Sequence, residues 1–202
     1  MPASLRRLLA GTLLLAGALA AATPLGEGPA WAAAAPGVSG QLYTAAGMTP
    51  SDKPRDAPEF SLPALNGSLV RLSDYRGKLV VLNFWATWCR PCIKEMPSLE
   101  RLSNHMQGRN LVVLAISLDR DPAAHVSMFV EGYGWKLPVL LDPEASAGDA
   151  YLVSGMPSTF LIGPDGMILG RAVGAHEWDG AAPLALFNAL LASEATASAS
   201  PM

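Results

Sequence analysis

Cysteine is almost missing from this chain of 202 residues: there are two, Cys89 and Cys92, with Arg90 and Pro91 between them. Histidine is nearly as scarce, and His105, His125 and His176 stand far apart. Without a second cysteine pair or a close histidine pair, structural zinc has no four-ligand set. Ile93 stands where covalent haem attachment needs histidine directly after the second cysteine. A disulfide staple over two intervening residues closes too short a loop to stabilise much. Copper(I) held by two thiolates remains open as a binding reading, although no methionine-rich stretch is there to complete the site.

Charge is sparse as well. Only 15% of the residues are charged, the formal net charge is −3, and no Lys/Arg cluster stands out, so a nucleic-acid partner is excluded. Half of the residues are apolar, which suits a packed core rather than disorder. Long apolar runs are also lacking. The stretch "LLAGTLLLAGALAAA" (8–22) falls short of the roughly 18 residues of a spanning helix. It follows Arg6-Arg7 and precedes small-residue cleavage patterns at Ala18–Ala20 and within Ala32–Ala35. Residues 1–35 are therefore expected to be an export signal, with a retained N-terminal membrane anchor as the alternative. No cysteine follows that run, which excludes a lipoprotein anchor, and the motif around a twin-arginine signal is missing. Export places the chain in the periplasm or on the outer face of the cytoplasmic membrane, where a cysteine pair is stable as a disulfide.

Beyond the leader, residues 36–56 are rich in Ala, Gly, Pro, Thr and Ser without periodicity, and are expected to be a flexible linker. One domain follows over 57–193, then a disordered tail over 194–202; no internal repeat is present. "FSLPAL" and "SLVRL" flank Asn66-Gly67, a hairpin signal. "LVVLNFWA" (79–86) and "LVVLAISL" (111–118) are continuous apolar runs suited to strands buried on both faces. Between them Cys92, Met96, Leu99 and Met106 recur at helical spacing, and Gly108 is a natural stop. A helix opening at Asp121-Pro122, a strand at 137–141 and a short helix at 143–153 come next. "STFLIG" (158–163) and "MILGRAV" (167–173) surround the turn Pro164-Asp165-Gly166, so they pair antiparallel. An amphipathic helix over 181–193 closes the domain. Strands alternating with helices predict an α/β fold whose mixed central sheet carries helices on both faces.

In that frame the cysteine pair follows a buried strand and opens a helix. Cys89 sits at the helix N-terminus, where free N–H groups and the macrodipole favour a thiolate. Arg90 adds a small effect of the same sign, and Pro91 suits the first turn, where its missing N–H costs nothing. Cys92 falls one turn in, on the apolar side, and should be shielded. That asymmetry assigns Cys89 as the thiol that attacks a partner disulfide and Cys92 as the thiol that resolves the mixed disulfide. Resolution is fast only when it is intramolecular, which requires thiols this close.

"FWATWCRPC" resembles the active-site stretch of the thioredoxin-like superfamily, and Pro97 matches the proline that kinks the active-site helix there. "GMPSTFLIGPDGMIL" (155–169) is similar to the segment in which the bond matching Met156–Pro157 is cis and faces the dithiol. The hairpin at 58–72, Glu95 and the added segment around 119–141 resemble the exported TlpA/ResA-type thiol:disulfide oxidoreductases. The resemblance covers roughly residues 57–193. It implies a thioredoxin-like fold with an extra N-terminal β-hairpin and a central insertion. It also implies a monomeric reductant serving cytochrome c maturation or a related task. Partners would be protein thiols and disulfides, apocytochrome c among them, and a membrane electron donor. No cofactor is implied beyond the redox-active Cys89–Cys92 disulfide.

Individual residues carry more than one reading. A cis bond at Pro157 would leave the preceding backbone free to pair with an extended partner strand. Met156 is either core filler or part of a docking surface; Trp85 and Trp88 are read as packing residues, with Trp88 the one to shield the thiols at the surface. Glu95 is either a solvated helix residue or a partly buried carboxylate that moves protons for Cys92. Asn83 stands where ordinary thioredoxins carry a buried acid, and Asn cannot titrate, which leaves Glu95 as the nearby candidate. The alternatives to an oxidoreductase are a copper chaperone using the dithiol as ligands and a thiol peroxidase. Peroxidases usually set their cysteine in a Pro-x-x-x-Thr-x-x-Cys context, and here Asn83, not proline, lies four residues before Thr87.

Overall fold

The computed structural model describes residues 38–53 and 55–198. The expected export segment, 1–35, lies outside the described residues. The sheet is built around β4 (Leu79–Trp85) and β5 (Leu111–Ser117), which run parallel in register from Leu79↔Leu111 to Trp85↔Ser117. β6 (Val139–Leu141) extends the parallel side, and β7 (Ser158–Ile162) pairs antiparallel with β4. β8 (Ile168–Val173) pairs antiparallel with β7, with a register shift at Leu161/Ile162. The sheet is thus mixed. All seven residues of β4 are buried because it has strands on both sides and layers on both faces.

The two faces have separate cores. Val81 and Trp85 of β4 pack with Leu99 and Leu102 of α2 (Arg90–His105), Val126 and Val130 of α3 (Ala123–Tyr133) and Phe187 of α5 (Ala181–Ser198). Val80, Leu82 and Phe84 face the other way, onto Tyr151 beside the short α4 (Ser146–Ala150) and onto Phe60, Leu62 and Leu72. Phe60 lies just before and Leu62 within β2 (Ser61–Pro63), which forms a hairpin with β3 (Leu69–Arg71), and Leu72 opens the 3-10 turn Leu72–Tyr75 that follows. The hairpin is its own two-stranded sheet, tied to the edge of the main one through Ala64↔Leu140. The central insertion is α3 with β6. The closing helix runs to Ser198, five residues past the boundary expected from its apolar face.

The main correction concerns the expected linker. Residues Gly40–Ala45 form α1, and Thr49–Pro50 form β1, the sixth strand of the sheet, paired with β8 through Thr49↔Arg171 and Pro50↔Gly170. Val38, Tyr43, Ala46 and Met48 are buried in the same core as α2 and α5. A six-residue helix and a two-residue strand are too short to show a period. Their burial comes from docking on α5 and β8, which an Ala/Gly-rich composition does not reveal.

Candidate active site

β4 ends at Trp85 and the chain turns at once into α2, so the carboxyl end of a central strand delivers Cys89 to a helix N-terminus. Cys89 is the N-cap residue, with extended backbone, and its Sγ accepts the N–H of Cys92 at 3.3 Å. Pro91 occupies the first turn, where no intrahelical donor is needed. Pro97 lies inside α2, where its ring removes one helical hydrogen bond. Cys89 and Cys92 form a disulfide with Cα atoms 5.3 Å apart. Cys89 keeps 6% of its surface exposed and Cys92 none. The edge of Cys89 therefore reaches the surface, while Cys92 lies beneath it.

The turn before Cys89 is held by a residue that sequence reasoning missed. Asp119, just beyond β5, is buried and accepts Thr87 Oγ1 at 2.6 Å, Thr87 N–H at 3.0 Å and Ser117 Oγ at 2.6 Å. The carboxylate thus fixes the backbone two residues ahead of Cys89 to the neighbouring strand. An aspartate after a strand carries no local motif, so only the folded chain reveals it.

Around Cys89 lies a groove of about 620 Å³ lined by Trp88, Arg90, Pro91, Leu118, Val153, Ser154, Gly155 and Met156. Trp88 is 66% exposed and Met156 is half-buried. The Met156–Pro157 bond is cis, and Pro157 is buried, its carbonyl accepting Gly174 N–H at 2.9 Å. Three of the residues singled out from sequence, Trp88, Cys89 and Met156, thus share one surface. Leu118 and Val153 were not anticipated on it. Trp85, expected as packing, is fully buried against Trp135 and Phe129.

Glu95 lies one turn beyond Cys92, 1% exposed, on the inner side of α2. The solvated-helix reading therefore does not describe it. Asn83 Nδ2 donates to its Oε1 at 2.7 Å, while His176 N–H and Trp178 Nε1 donate to Oε2 at 3.0 and 3.2 Å. Burial pushes its carboxyl up to about 7, against the lowering effect of the His176, Asn83 and Trp178 donors. Asn83 also donates to Thr159 Oγ1 at 3.0 Å, which ties β4 to β7 behind the site. His176 and Trp178, from the loop between β8 and α5, gave no sequence signal. Among the described residues no group of three or more His, Cys, Asp or Glu side chains is placed to hold a metal ion. Among them, too, no helix is long and apolar enough to cross a membrane.

Comparison with known proteins gives this geometry a family. Residues 54–170 match the AhpC/TSA family. The thiol-disulfide oxidoreductase ResA of Bacillus subtilis (strain 168) is 40% identical over 130 residues, spanning 63% of this chain and 72% of that protein. ResA of Geobacillus thermodenitrificans (strain NG80-2) is 41% identical over 112 residues, or 55% and 64% of the two chains. Among solved structures, a putative thiol:disulfide interchange protein DsbE from Chlorobium tepidum is 34% identical with a TM-score of 0.62, covering 71% of this chain and 98% of that one. The exposed lipoprotein thioredoxin Etrx1 of Streptococcus pneumoniae strain TIGR4 is 31% identical with a TM-score of 0.57, covering 65% and 99%. With a mixed sheet, a Cys89–Cys92 pair at the N-terminus of the helix after β4 and relatives named as thiol-disulfide oxidoreductases, the chain belongs to the AhpC/TSA family and within it is a thiol-disulfide oxidoreductase of thioredoxin-like fold.

Proposed function

We propose that the protein is an extracytoplasmic reductant of protein disulfides, with Cys89 as attacker and Cys92 as resolver. The observation that carries this is Cys89 at a helix N-terminus, 6% exposed and lining a surface groove, with Cys92 fully buried below it. The Cys89 thiolate attacks one sulfur of a partner disulfide; that S–S bond breaks, a mixed disulfide forms, and the partner's other sulfur leaves as thiolate. Cys92 then loses its proton to Glu95 and attacks the Cys89 sulfur. The mixed disulfide breaks, the partner leaves with both sulfurs reduced, and the Cys89–Cys92 disulfide remains. Two electrons have passed from the dithiol to the partner, and a membrane electron donor restores the dithiol.

Three features support the scheme. Glu95, held near neutrality by burial, is suited to take a proton at physiological pH. The groove beside Cys89 is mostly apolar and wide enough for an extended segment. Among the described residues no hydrogen bond uses the backbone N–H or C=O of Met156, so both remain available to pair with a bound strand. The reading of residues 1–35 as an export segment supports a place outside the cytoplasm, and apocytochrome c, whose paired cysteines must be reduced before haem attachment, is the substrate the family resemblance favours. The reduction potential tests the direction of electron flow. A value near the low end of the roughly −270 to −120 mV range of this fold supports a reductant, and one near −120 mV overturns it.

A further inference from the structure

Two of the three donors on Glu95 come from one loop, residues 174–180: the N–H of His176 and the indole N–H of Trp178. α2 holds that loop through Ser98, whose Oγ lies 3.2 Å from His176 O and accepts Trp178 N–H at 3.1 Å. The imidazole of His176 makes no hydrogen bond from its buried Nε2. One side of the ring tilts onto Trp178, with centroids 5.3 Å apart. The ring also meets the turn between α1 and β1. Gly47 there has φ 74°, and a Cβ at that position would overlap Nδ1 and Cε1 of His176. The ring thus contacts both a glycine backbone and an indole, without a polar partner for Nε2. Gly47, His176 and Trp178 all lie outside residues 54–170, the span matched to the family.

We infer that residues 38–50 are a working part of the active site: Gly47 seats the His176 ring against Trp178, and the seated ring fixes the two N–H donors of the 174–180 loop on Glu95. Gly47 and His176 are then positioning residues for the carboxylate, and the consequence for the dithiol rests on the reading of Glu95 as proton acceptor for Cys92. The other groups around Glu95 do not offer an equivalent control. β4 and β7 contribute the neutral Asn83 and Thr159. α2 contributes Cys92, which is disulfide-bonded. In the loop, Glu177 and Asp179 pair with Arg101. The segment 38–50 has no charged residue, and its one titratable side chain, Tyr43, is pushed up to about 12 by burial.

The test is the titration of the Glu95 carboxyl in the disulfide form, followed by NMR of carboxyl-labelled glutamate, with Glu95→Gln to assign the signal. In Gly47→Ala and His176→Ala the donors loosen, the carboxylate is less well stabilised, and the midpoint should rise from near 7 by about one pH unit. His176→Phe keeps a flat ring against Gly47 and Trp178 without either nitrogen and should retain the wild-type midpoint. If Gly47→Ala does not fold, the two His176 variants carry the test. An unchanged midpoint in His176→Ala overturns the inference, and so does a His176→Phe midpoint that moves with it. The reading of Glu95 as proton acceptor fails separately, if Glu95→Gln leaves the pH dependence of mixed-disulfide resolution by Cys92 unchanged.

Discussion

Asn83 and Glu95 meet inside the protein: the side-chain amide on β4 donates a 2.7 Å hydrogen bond to the carboxylate on α2, and neither residue is more than 1% exposed. An amide cannot titrate, so the pair contains one proton-exchanging group rather than two. Charge can change beside the dithiol without a second buried acid repelling it. Asn83 itself is committed by its second hydrogen bond, to Thr159 on the neighbouring strand.

This arrangement fixes how stability depends on pH. A carboxyl raised from 4.5 to about 7 binds its proton more tightly folded than unfolded. Between those values the folded state holds more protons, so the favourable contribution is complete below about pH 4.5 and is lost as pH rises through 7. The loss amounts to roughly 3 kcal/mol. Urea unfolding from pH 4.5 to 8 should show this decline in the wild type, and the slope should be largely absent in Glu95→Gln. Equal slopes would mean that Glu95 does not titrate in this window.

Asp119 holds the turn that presents Cys89. Asp119→Ala leaves the N–H and hydroxyl of Thr87 and the hydroxyl of Ser117 without their acceptor in buried surroundings. A loss of about 3 kcal/mol is expected in chemical denaturation, together with slower disulfide exchange. Asp119→Asn, which keeps one acceptor oxygen, should lie between the two.

Arg90 follows Cys89 directly and lines the same groove. Arg90→Glu replaces a cation with an anion next to Cys89. In the reduced protein the rate of alkylation at neutral pH should fall about two- to fivefold, and the difference should shrink in about 1 M salt. A fall that is unaffected by salt would point to altered helix geometry instead of charge.

Residues 38–50 are predicted to belong to the folded unit. Tyr43 is buried in the core shared with α2 and α5, and its ring would meet a Cβ at Gly170 at 3.1 Å. Tyr43→Ala should cost about 3 kcal/mol, as other large core truncations do. A change within about 0.5 kcal/mol, the usual range for surface positions, would return the segment to a linker.

The sequence made the central strands and α2 legible because β4, β5 and the helix after Cys89 carry their patterns locally. The N-terminal helix and strand were not legible, since two paired residues at a sheet edge have no period to read. The same division runs through the site. Cys89 and Cys92 are neighbours in sequence at the start of one helix, so spacing alone placed them, whereas Pro97 was reached through resemblance. The partners of Glu95 stand 12, 81 and 83 residues away, and Asp119 is 32 residues from Thr87. Such contacts exist only after the sheet has closed, and Trp178 and His176 come from a loop with no recognisable pattern. Cis Met156–Pro157 was reached through resemblance, not through residue chemistry.

The central claim is the division of labour between the two sulfurs, and trapping tests it most directly. Cys92→Ser and Cys89→Ser variants should be incubated with a disulfide-bearing partner protein and separated without reductant. The account predicts stable mixed disulfides in Cys92→Ser, linked through Cys89, and few or none in Cys89→Ser, where the remaining sulfur is fully buried. Complexes that accumulate through Cys92 while Cys89 stays unlinked would contradict it.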